Sequence, residues 1–329
     1  MRLHVQNPPG VAHPVTEEQV SAALARHPDM AHLRPSYGDD DAAFAAGIAD
    51  AEILLTFTRE GRKRFPVGTP RSLAPKLRLI AFTSAGLDAL QPFDWVPDGV
   101  TILNNRGTHG DKAGEYGIMA ILMLQTRMPA FADAQREGRW QPLFATTLEG
   151  RTVVILGIGT LGGGVARRCK GFGMRVIGIR SGADPHPDCD ETHPATALDE
   201  ILPRADFLVL TCPLTPQTRN ILSRERIGLL PRGARVVNMA RGAVWDQDAI
   251  MDALDSGHLD GCVTDVAVPE PLPADHRLWR TPRMIITPHV SSDDDARYNE
   301  RTLDILFENL RADREGRPLP NRVDPARGY

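Results

Sequence analysis

The chain has 329 residues, 42% hydrophobic and 24% charged, a balance typical of folded globular proteins. Its 38 basic and 42 acidic side chains give a formal net charge of −4, which argues against a general binder of nucleic acid. Four scattered cysteines argue against a disulfide framework or a zinc site, and no apolar run approaches the roughly 18 residues of a membrane span. We therefore expect a cytoplasmic protein of about two domains, with no metal and no signal peptide.

The first hundred residues alternate short apolar runs with a helical pattern. The predicted strands are residues 2–6, 52–56, 77–83 and 100–104. Residues 16–27 carry apolar side chains at helical spacing, with Thr16 in the N-cap position and two glutamates after it. This alternation predicts βα units and a parallel sheet.

Residues 111–127 form the longest apolar helix candidate, and the stretch 118–124 is apolar on every face. A helix that is apolar all round is normally buried. The pattern leaves open whether it lies between domains or at a subunit contact.

A second series of apolar runs begins at residue 152. The predicted strands are residues 152–156, 175–179, 207–211, 234–239, 261–266 and 284–287. Strands that are buried on both faces have this continuous apolar character, so the series predicts a doubly wound sheet of about six strands. Near the end, Ser291 or Ser292 is the predicted N-cap of a helix, with acidic residues in its first turn.

A glycine motif, GIGTLG at residues 157–162, follows the strand 152–156 directly and opens a helix. Gly157 permits a tight turn, Gly159 lets the backbone approach a pyrophosphate, and Gly162 lets the helix pack closely on the strand. The helix then presents free N–H groups to the phosphates near Thr160 and Leu161. Strand, loop, helix and second strand occur in the order that a dinucleotide site requires.

The end of the second strand bears on which dinucleotide binds. An NAD site usually places Asp or Glu there, on the ribose 2′-hydroxyl. Here the strand ends in Arg180 and Ser181, and the first acid is Asp184. Arg180 can pair with a 2′-phosphate, assisted by Ser181, so we expect NADP(H) to be preferred. NAD(H) remains possible, with Arg180 merely exposed.

Six ordered segments together resemble one known family, and the resemblance extends over nearly the whole chain. They are LRLIAFTSAGLDAL (77–90), GIGTLGGGVA (157–166), CPLTPQTRNIL (212–222), VVNMARGAVWDQDAI (236–250), DVAVPEPLP (265–273) and ITPHVSS (286–292). They resemble the D-isomer-specific 2-hydroxyacid dehydrogenase family, which includes glyoxylate/hydroxypyruvate reductases and phosphoglycerate dehydrogenases.

The resemblance implies a fold class and a domain organisation. The class is α/β, with two domains built on doubly wound parallel sheets. A Rossmann dinucleotide-binding domain at residues 105–289 is expected to be inserted into a smaller flavodoxin-like substrate domain at 1–104 plus 290–329. Since the family is commonly dimeric, we also expect a homodimer.

Three residues match the family's catalytic positions. Arg241 follows the predicted strand 234–239, and its guanidinium can hold the carboxylate and keto oxygen of a 2-oxo acid. His289 would donate the proton that hydride addition to a ketone requires, because imidazole titrates near neutral pH. Glu270 is the implied partner of His289, where a carboxylate stabilises the protonated ring and fixes its orientation.

The resemblance also implies ligand contacts. For the substrate carboxylate these are backbone N–H groups of Ala85, Gly86 and Leu87, together with Arg241 and His289. For the cofactor the full predicted set is Gly157, Gly159, Thr160, Leu161, Gly162, Arg180, Ser181, Cys212, Pro213, Thr218, Met239, Ala240, Arg241, Asp265 and His289. Asp265 is expected to accept from the nicotinamide amide, and Cys212 to line the site without chemistry.

The main interpretation is an NADP(H)-preferring reductase that converts a small 2-oxo acid, such as glyoxylate or hydroxypyruvate, to the D-2-hydroxy acid. One alternative is a dinucleotide-sensing corepressor-like binding protein with little turnover, since some relatives of the family act in that way. Another is the oxidation of phosphite by the same three side chains. The sequence does not identify the 2-oxo acid.

Overall fold

A computed structural model describes residues 1–11, 13–182 and 184–325. The chain forms two compact units, one of residues 1–108 with 294 onward and one of residues 109–293, so the second is inserted in the first. The two expected domain boundaries, after residues 104 and 289, each lie four residues before the observed ones. Asn105 bonds to Ser84 and Thr83 of the first unit, and Ser291 bonds to Asp265 of the second, which accounts for the difference. Residues 326–329 of the expected substrate domain lie outside the described residues.

The strands and helices of both units follow in chain order. They are β1 Arg2–Gln6, α1 Glu17–Arg26, β2 Arg34–Gly38, α2 Asp41–Ile48, β3 Ile53–Thr56, α3 Thr58–Arg64, β4 Leu79–Phe82, β5 Thr101–Leu103, α4 Gly110–Gln125, α5 Met128–Arg136, β6 Thr152–Leu156, α6 Thr160–Gly171, β7 Arg175–Arg180, β8 Glu191–Pro194, α7 Leu198–Ile201, β9 Phe207–Leu210, α8 Arg224–Leu229, β10 Ala234–Asn238, α9 Gln247–Asp255, β11 Leu259–Thr264, β12 Met284–Ile286 and α10 Tyr298–Arg314.

The first unit contains a parallel five-stranded sheet in the order β2-β1-β3-β4-β5, the flavodoxin-like order. Apolar side chains of α1 and α10 pack on one face, and residues including Phe44, Phe65 and Trp95 pack on the other. The predicted cap of α1 is confirmed, since Thr16 and Gln19 form a capping box. The apolar pattern does not predict β2, whose segment RPSYG contains a proline that only an edge strand tolerates well.

The second unit contains a parallel seven-stranded sheet in the order β12-β11-β10-β9-β6-β7-β8. The predicted doubly wound α/β class is confirmed, with seven strands rather than about six. The extra strand, β8, lies at an edge and is only half-buried, so it lacks the apolar run that identified the others. All the strands are parallel, but β7 and β8 lie on one side of β6, whereas β9 and the strands after it lie on the other side. Ligands of open α/β sheets bind where the strand order switches sides in this way, outside the carboxyl ends of the strands.

The glycine run after the motif lets two helices of the second unit approach closely. A Cβ on Gly164 of α6 would lie 2.0 Å from the carbonyl oxygen of Gly110, and one on Gly114 of α4 would lie 2.4 Å from that of Gly164. Glycine at these positions therefore holds α6, and the loop before it, at a fixed depth against α4.

The apolar helix α4 is buried on one face within its own unit. Ala120, Ile121 and Leu124 are buried there, whereas Met119 is 42% exposed on another face. The burial all round that the pattern led us to expect is therefore not reached within this unit.

The last helix begins later than expected. The predicted N-cap at Ser291 or Ser292 is wrong, because α10 begins at Tyr298 and the N–H of Ser291 donates to Asp265. The Asp294 carboxylate instead accepts the N–H groups of Ala296 and Arg297, which forms a separate turn before the helix. None of the described helices is long and apolar enough to cross a membrane.

Candidate active site

The glycine loop after β6 is shaped by close backbone contacts. Gly157 has φ +104°, and a Cβ there would lie 2.4 Å from the backbone nitrogen of Cys212, after β9. A Cβ on Gly162 would lie 2.5 Å from the carbonyl oxygen of Gly157. A Cβ on Gly159 would meet nothing within 4 Å. The outer two glycines therefore build the turn, while the middle one faces open space into which a ligand can approach the backbone.

The start of α6 offers backbone N–H donors at this open space. Its N-cap is Gly159, which has no side chain to accept the first N–H groups of the helix. The N–H groups of Gly157 and Ile158 both donate to the Ile179 carbonyl, at 2.8 and 3.1 Å, and so hold the loop against β7. These features suit an anionic pyrophosphate, so the loop fits the dinucleotide that its motif predicts.

The end of β7 carries the residues expected to select the dinucleotide. Arg180 is half-buried and its Nη1 lies 3.5 Å from the Asp184 carbonyl oxygen, while Ser181 is exposed. His186 of the same loop lies beside the glycine loop, since a Cβ on Gly163 would be 3.1 Å from its ring. Nothing in the sequence pattern pointed to His186, because only the folded loop brings it there.

The segment after β9 forms a wall of the same region. Cys212 is 6% exposed, and burial raises the pKa of its thiol to about 12, so it is a neutral lining side chain at ordinary pH. Thr218 donates to the carbonyl of Pro213 at 2.5 Å and thereby closes the loop between them. The side chains of Met239 and Ala240, expected under the nicotinamide, are both buried.

Arg241 lies just beyond the carboxyl end of β10. The buried side chain of Asn238 accepts the N–H of Ala240 at 3.0 Å and donates to the Arg241 carbonyl at 3.3 Å, so it stabilises the turn. Arg241 is half-buried, and its Nη1 donates to the Ala240 carbonyl at 2.8 Å. The sequence motifs do not predict this role of Asn238, which depends on the geometry of the turn.

Glu270 and His289 are in contact. Glu270 Oε2 lies 2.9 Å from His289 Nδ1, and Glu270 Oε1 accepts the N–H of Ala267 at 2.9 Å. The side chains are 38% and 45% exposed, so both are accessible to a ligand. Because Nδ1 faces the carboxylate, Nε2 is the ring nitrogen left for another partner.

The three predicted catalytic side chains follow three neighbouring strands, β10, β11 and β12, and therefore lie at one edge of the sheet. The loops of Arg241 and Glu270 also touch. A Cβ on Gly242 would lie 2.2 Å from the carbonyl oxygen of Ala267, so only glycine permits this approach.

Asp265 fixes the backbone around His289. Its carboxylate accepts the N–H groups of Val290 at 2.9 Å and Ser291 at 2.8 Å and the hydroxyl of Thr287 at 2.6 Å. Asp265 is 2% exposed. The carboxylate of Asp265 already accepts these three hydrogen bonds. Its expected contact with a nicotinamide amide stays a prediction.

Tyr116 of α4 extends this network. Its hydroxyl lies 2.6 Å from Thr287 Oγ1, and since the Thr287 proton goes to Asp265, Tyr116 is the donor. Burial raises the pKa of Tyr116 to about 12, so it keeps its proton at neutral pH. The sequence pattern does not predict this contact, because Tyr116 lies far from Thr287 along the chain.

In the first unit, the segment expected to bind the substrate carboxylate follows β4. Ala85 is half-buried and Gly86 is exposed, which leaves their backbone accessible. Leu87 is 2% exposed and its side chain packs in the core of its own unit, so only its backbone is available to a ligand.

Comparisons with known proteins identify the family. A model of the D-isomer specific 2-hydroxyacid dehydrogenase NAD-binding domain matches residues 118–291. Glyoxylate reductase of Korarchaeum cryptofilum is 32% identical over 258 residues, which cover 76% of this chain and 77% of that protein.

Solved structures agree over the full length. A D-isomer specific 2-hydroxyacid dehydrogenase from Xanthobacter autotrophicus, in complex with NADPH and MES, is 29% identical with a TM-score of 0.82 over 99% of each chain. The NADPH-dependent glyoxylate/hydroxypyruvate reductase from Sinorhizobium meliloti, in complex with NADP and sulfate, is 27% identical with a TM-score of 0.81 over 100% of each chain. These relatives give the corepressor alternative no support. The chain belongs to the D-isomer specific, NAD(P)-dependent 2-hydroxyacid dehydrogenase family and is an oxidoreductase of that family.

Proposed function

We propose that the protein reduces a small 2-oxo acid of the glyoxylate or hydroxypyruvate class to the corresponding D-2-hydroxy acid, with NADP(H) preferred over NAD(H). The observation that carries the proposal is the contact between His289 Nδ1 and Glu270 Oε2 at 2.9 Å, with Arg241 following the neighbouring strand. This set supplies a proton donor, a group that stabilises its charge, and a cation for an anionic substrate.

Arg241 binds and orients the substrate, because its planar guanidinium can donate to a carboxylate and to the adjacent keto oxygen together. Reduced nicotinamide, when bound, supplies the hydride to the 2-carbon. Negative charge then develops on the former keto oxygen, and His289 Nε2 gives it a proton. Glu270 balances the charge of the imidazolium before the transfer and keeps the ring from turning.

For cofactor binding we propose the glycine loop with the start of α6 for the pyrophosphate, and the buried residues after β9 and β10 as the wall beneath the nicotinamide. Arg180 and Ser181 would bind the 2′-phosphate, since a guanidinium and a hydroxyl at that place favour a phosphate over a free 2′-hydroxyl. Ala85, Gly86 and the backbone of Leu87 are proposed for the substrate carboxylate. We also propose a cytoplasmic homodimer.

The relatives support this substrate and cofactor class. Two of them are described as glyoxylate or glyoxylate/hydroxypyruvate reductases, and two structures hold NADPH or NADP. The test is a panel of 2-oxo acids, including glyoxylate, hydroxypyruvate and bulkier acids, assayed with NADPH and NADH. The proposal predicts the highest kcat/KM for a small acid with NADPH. Equal or better use of NADH would overturn the cofactor preference, and turnover of none of the acids would overturn the activity.

A further inference from the structure

The side chain of Gln247 makes two hydrogen bonds with one residue of the loop that carries Glu270. Its Nε2 donates to the Val268 carbonyl at 2.8 Å, and its Oε1 accepts the Val268 N–H at 2.9 Å. Gln247 is the first residue of α9, so its backbone belongs to a helix packed on the sheet. The paired bonds fix both the position and the orientation of Val268, since one holds the peptide group before its Cα and the other holds the peptide group after it.

Val268 lies in the chain between Ala267, whose N–H anchors the Glu270 carboxylate, and Glu270 itself. Before it, the N–H of Ala267 donates to Glu270 Oε1 at 2.9 Å. Two residues after it, Glu270 Oε2 contacts His289 Nδ1 at 2.9 Å. A displacement of Val268 would therefore move the anchor of the carboxylate and its backbone together.

Burial does little to hold the middle of this loop. Val268 is 47% exposed, and the three residues after it, 269–271, are exposed as well. The flanking Ala267 and Leu272 belong to a small apolar cluster, so residues 268–271 depend mainly on hydrogen bonds for local order.

We propose that Gln247 is a positioning residue for proton transfer, which acts through the Val268 backbone to hold Glu270 against His289. The inference rests on the proposed function, since it presupposes that Glu270 serves His289 during turnover. It assigns Gln247 no contact with substrate or cofactor.

Two substitutions separate the two hydrogen bonds. Gln247→Met preserves the length of the side chain and removes both bonds. Gln247→Glu retains an oxygen for the Val268 N–H and places a second oxygen against the Val268 carbonyl. We expect Gln247→Met to lower kcat with glyoxylate and NADPH about tenfold, within the range by which misplaced catalytic groups reduce rates. Gln247→Glu should lower kcat as well, and KM for NADPH should stay within twofold of wild type in both.

A double-variant cycle distinguishes positioning of Glu270 from a general structural role. In a Glu270→Gln background the charged partner of His289 is already lost, so adding Gln247→Met should change kcat by less than twofold. Full additivity would overturn the inference, as would an unchanged kcat in Gln247→Met alone. If Glu270→Gln itself leaves kcat unchanged, the proposed role of Glu270 fails and the inference fails with it.

Gln125 provides a matched control. Its side-chain amide also donates to a backbone carbonyl of a loop, that of Thr146 at 2.7 Å, but this loop carries none of the proposed catalytic groups. Gln125→Met should lower the melting temperature without lowering kcat. Circular dichroism at the assay temperature establishes that each variant is folded, and an equal loss of kcat in Gln125→Met would overturn the specific role of Gln247.

Discussion

The backbone carbonyl of Asp265 accepts the N–H of His289 at 2.9 Å, and the carboxylate of Asp265 accepts the N–H groups of the next two residues. His289 has φ +57°, a left-handed conformation that non-glycine residues adopt at a cost in energy. Asp265, directly after β11, therefore fixes the backbone of His289, which lies in the segment after β12. The imidazole is presented from a backbone with little freedom to move.

Asp265→Asn should lower both activity and stability. Asparagine keeps the size of the side chain but turns an NH2 group toward one of the three donors that the carboxylate now accepts. We expect kcat to fall at least tenfold and the free energy of unfolding to fall by about 1–3 kcal/mol, the cost of a buried donor without an acceptor. Steady-state kinetics and urea unfolding measure the two effects.

Asp260 of the same strand is the control, because its carboxylate pairs with Arg235 at 2.7 Å rather than with the His289 segment. Asp260→Asn should reduce stability and leave kcat unchanged. A stable Asp265→Asn protein with wild-type kcat would refute the role of Asp265 in positioning His289.

Arg180→Ala should weaken NADPH selectively. Removal of the guanidinium takes away the proposed partner of the 2′-phosphate, so KM for NADPH should rise about tenfold or more, the loss of one charge-assisted hydrogen bond. KM for NADH should stay within twofold. Arg175→Ala, at the other end of β7 where the arginine pairs with Glu191, should change neither value. A parallel rise in both KM values in Arg180→Ala would contradict the prediction.

His4 should make the protein sensitive to acid. The side chain is fully buried in the first unit, and burial lowers its pKa from the ordinary 6.5. The unfolded chain therefore binds a proton near pH 6.5 that the folded chain binds only at lower pH, so stability is present above pH 6.5 and is lost as pH falls below it. His4→Asn should flatten the dependence of the free energy of unfolding on pH in this window. A wild-type slope in His4→Asn would reject the prediction.

The exposed apolar face of α4 should support a homodimer. A shallow groove of about 410 Å³ runs along it, lined by Glu115, Ile118, Met119, Leu122, Met123, Thr126 and Met128. Multi-angle light scattering should give twice the mass of the chain for the wild type. Met119→Glu should shift it toward the single-chain mass, because a buried unpaired charge is costly at a contact. A wild-type protein that is monomeric at micromolar concentration would contradict the expectation.

Some strands could be predicted from the sequence because an apolar run and the turn that ends it are local features of the chain. The strand at residues 152–156 was predicted with the observed boundaries, since an apolar run ends at a glycine turn. The edge strands β2 and β8 carry polar side chains and proline, which a central strand would exclude, and were missed for that reason. The need for glycine at position 164 could not be predicted, because its close partner Gly110 lies far along the chain.

The residues of the candidate site also differ in how far the sequence predicts them. Residues with a chemical signature, such as Arg241 and His289, could be proposed from their motifs. Asn238, Tyr116 and Gln247 act through hydrogen bonds to turns and loops that exist only in the folded unit, and their residue types carry no such signature. The side chains proposed to perform the chemistry could therefore be predicted from the sequence, whereas the residues that position them could be found only in the tertiary structure.

His289, held by Glu270, is proposed to donate the proton in the reduction of a small 2-oxo acid. The most direct test is kcat for His289→Ala with glyoxylate and NADPH, measured beside the cofactor's KM. General acid catalysis by a positioned group contributes about 10²–10⁴-fold, so kcat should fall by that factor while KM for NADPH stays within threefold. A folded His289→Ala protein that retains more than half of the wild-type kcat would show that His289 is not the proton donor.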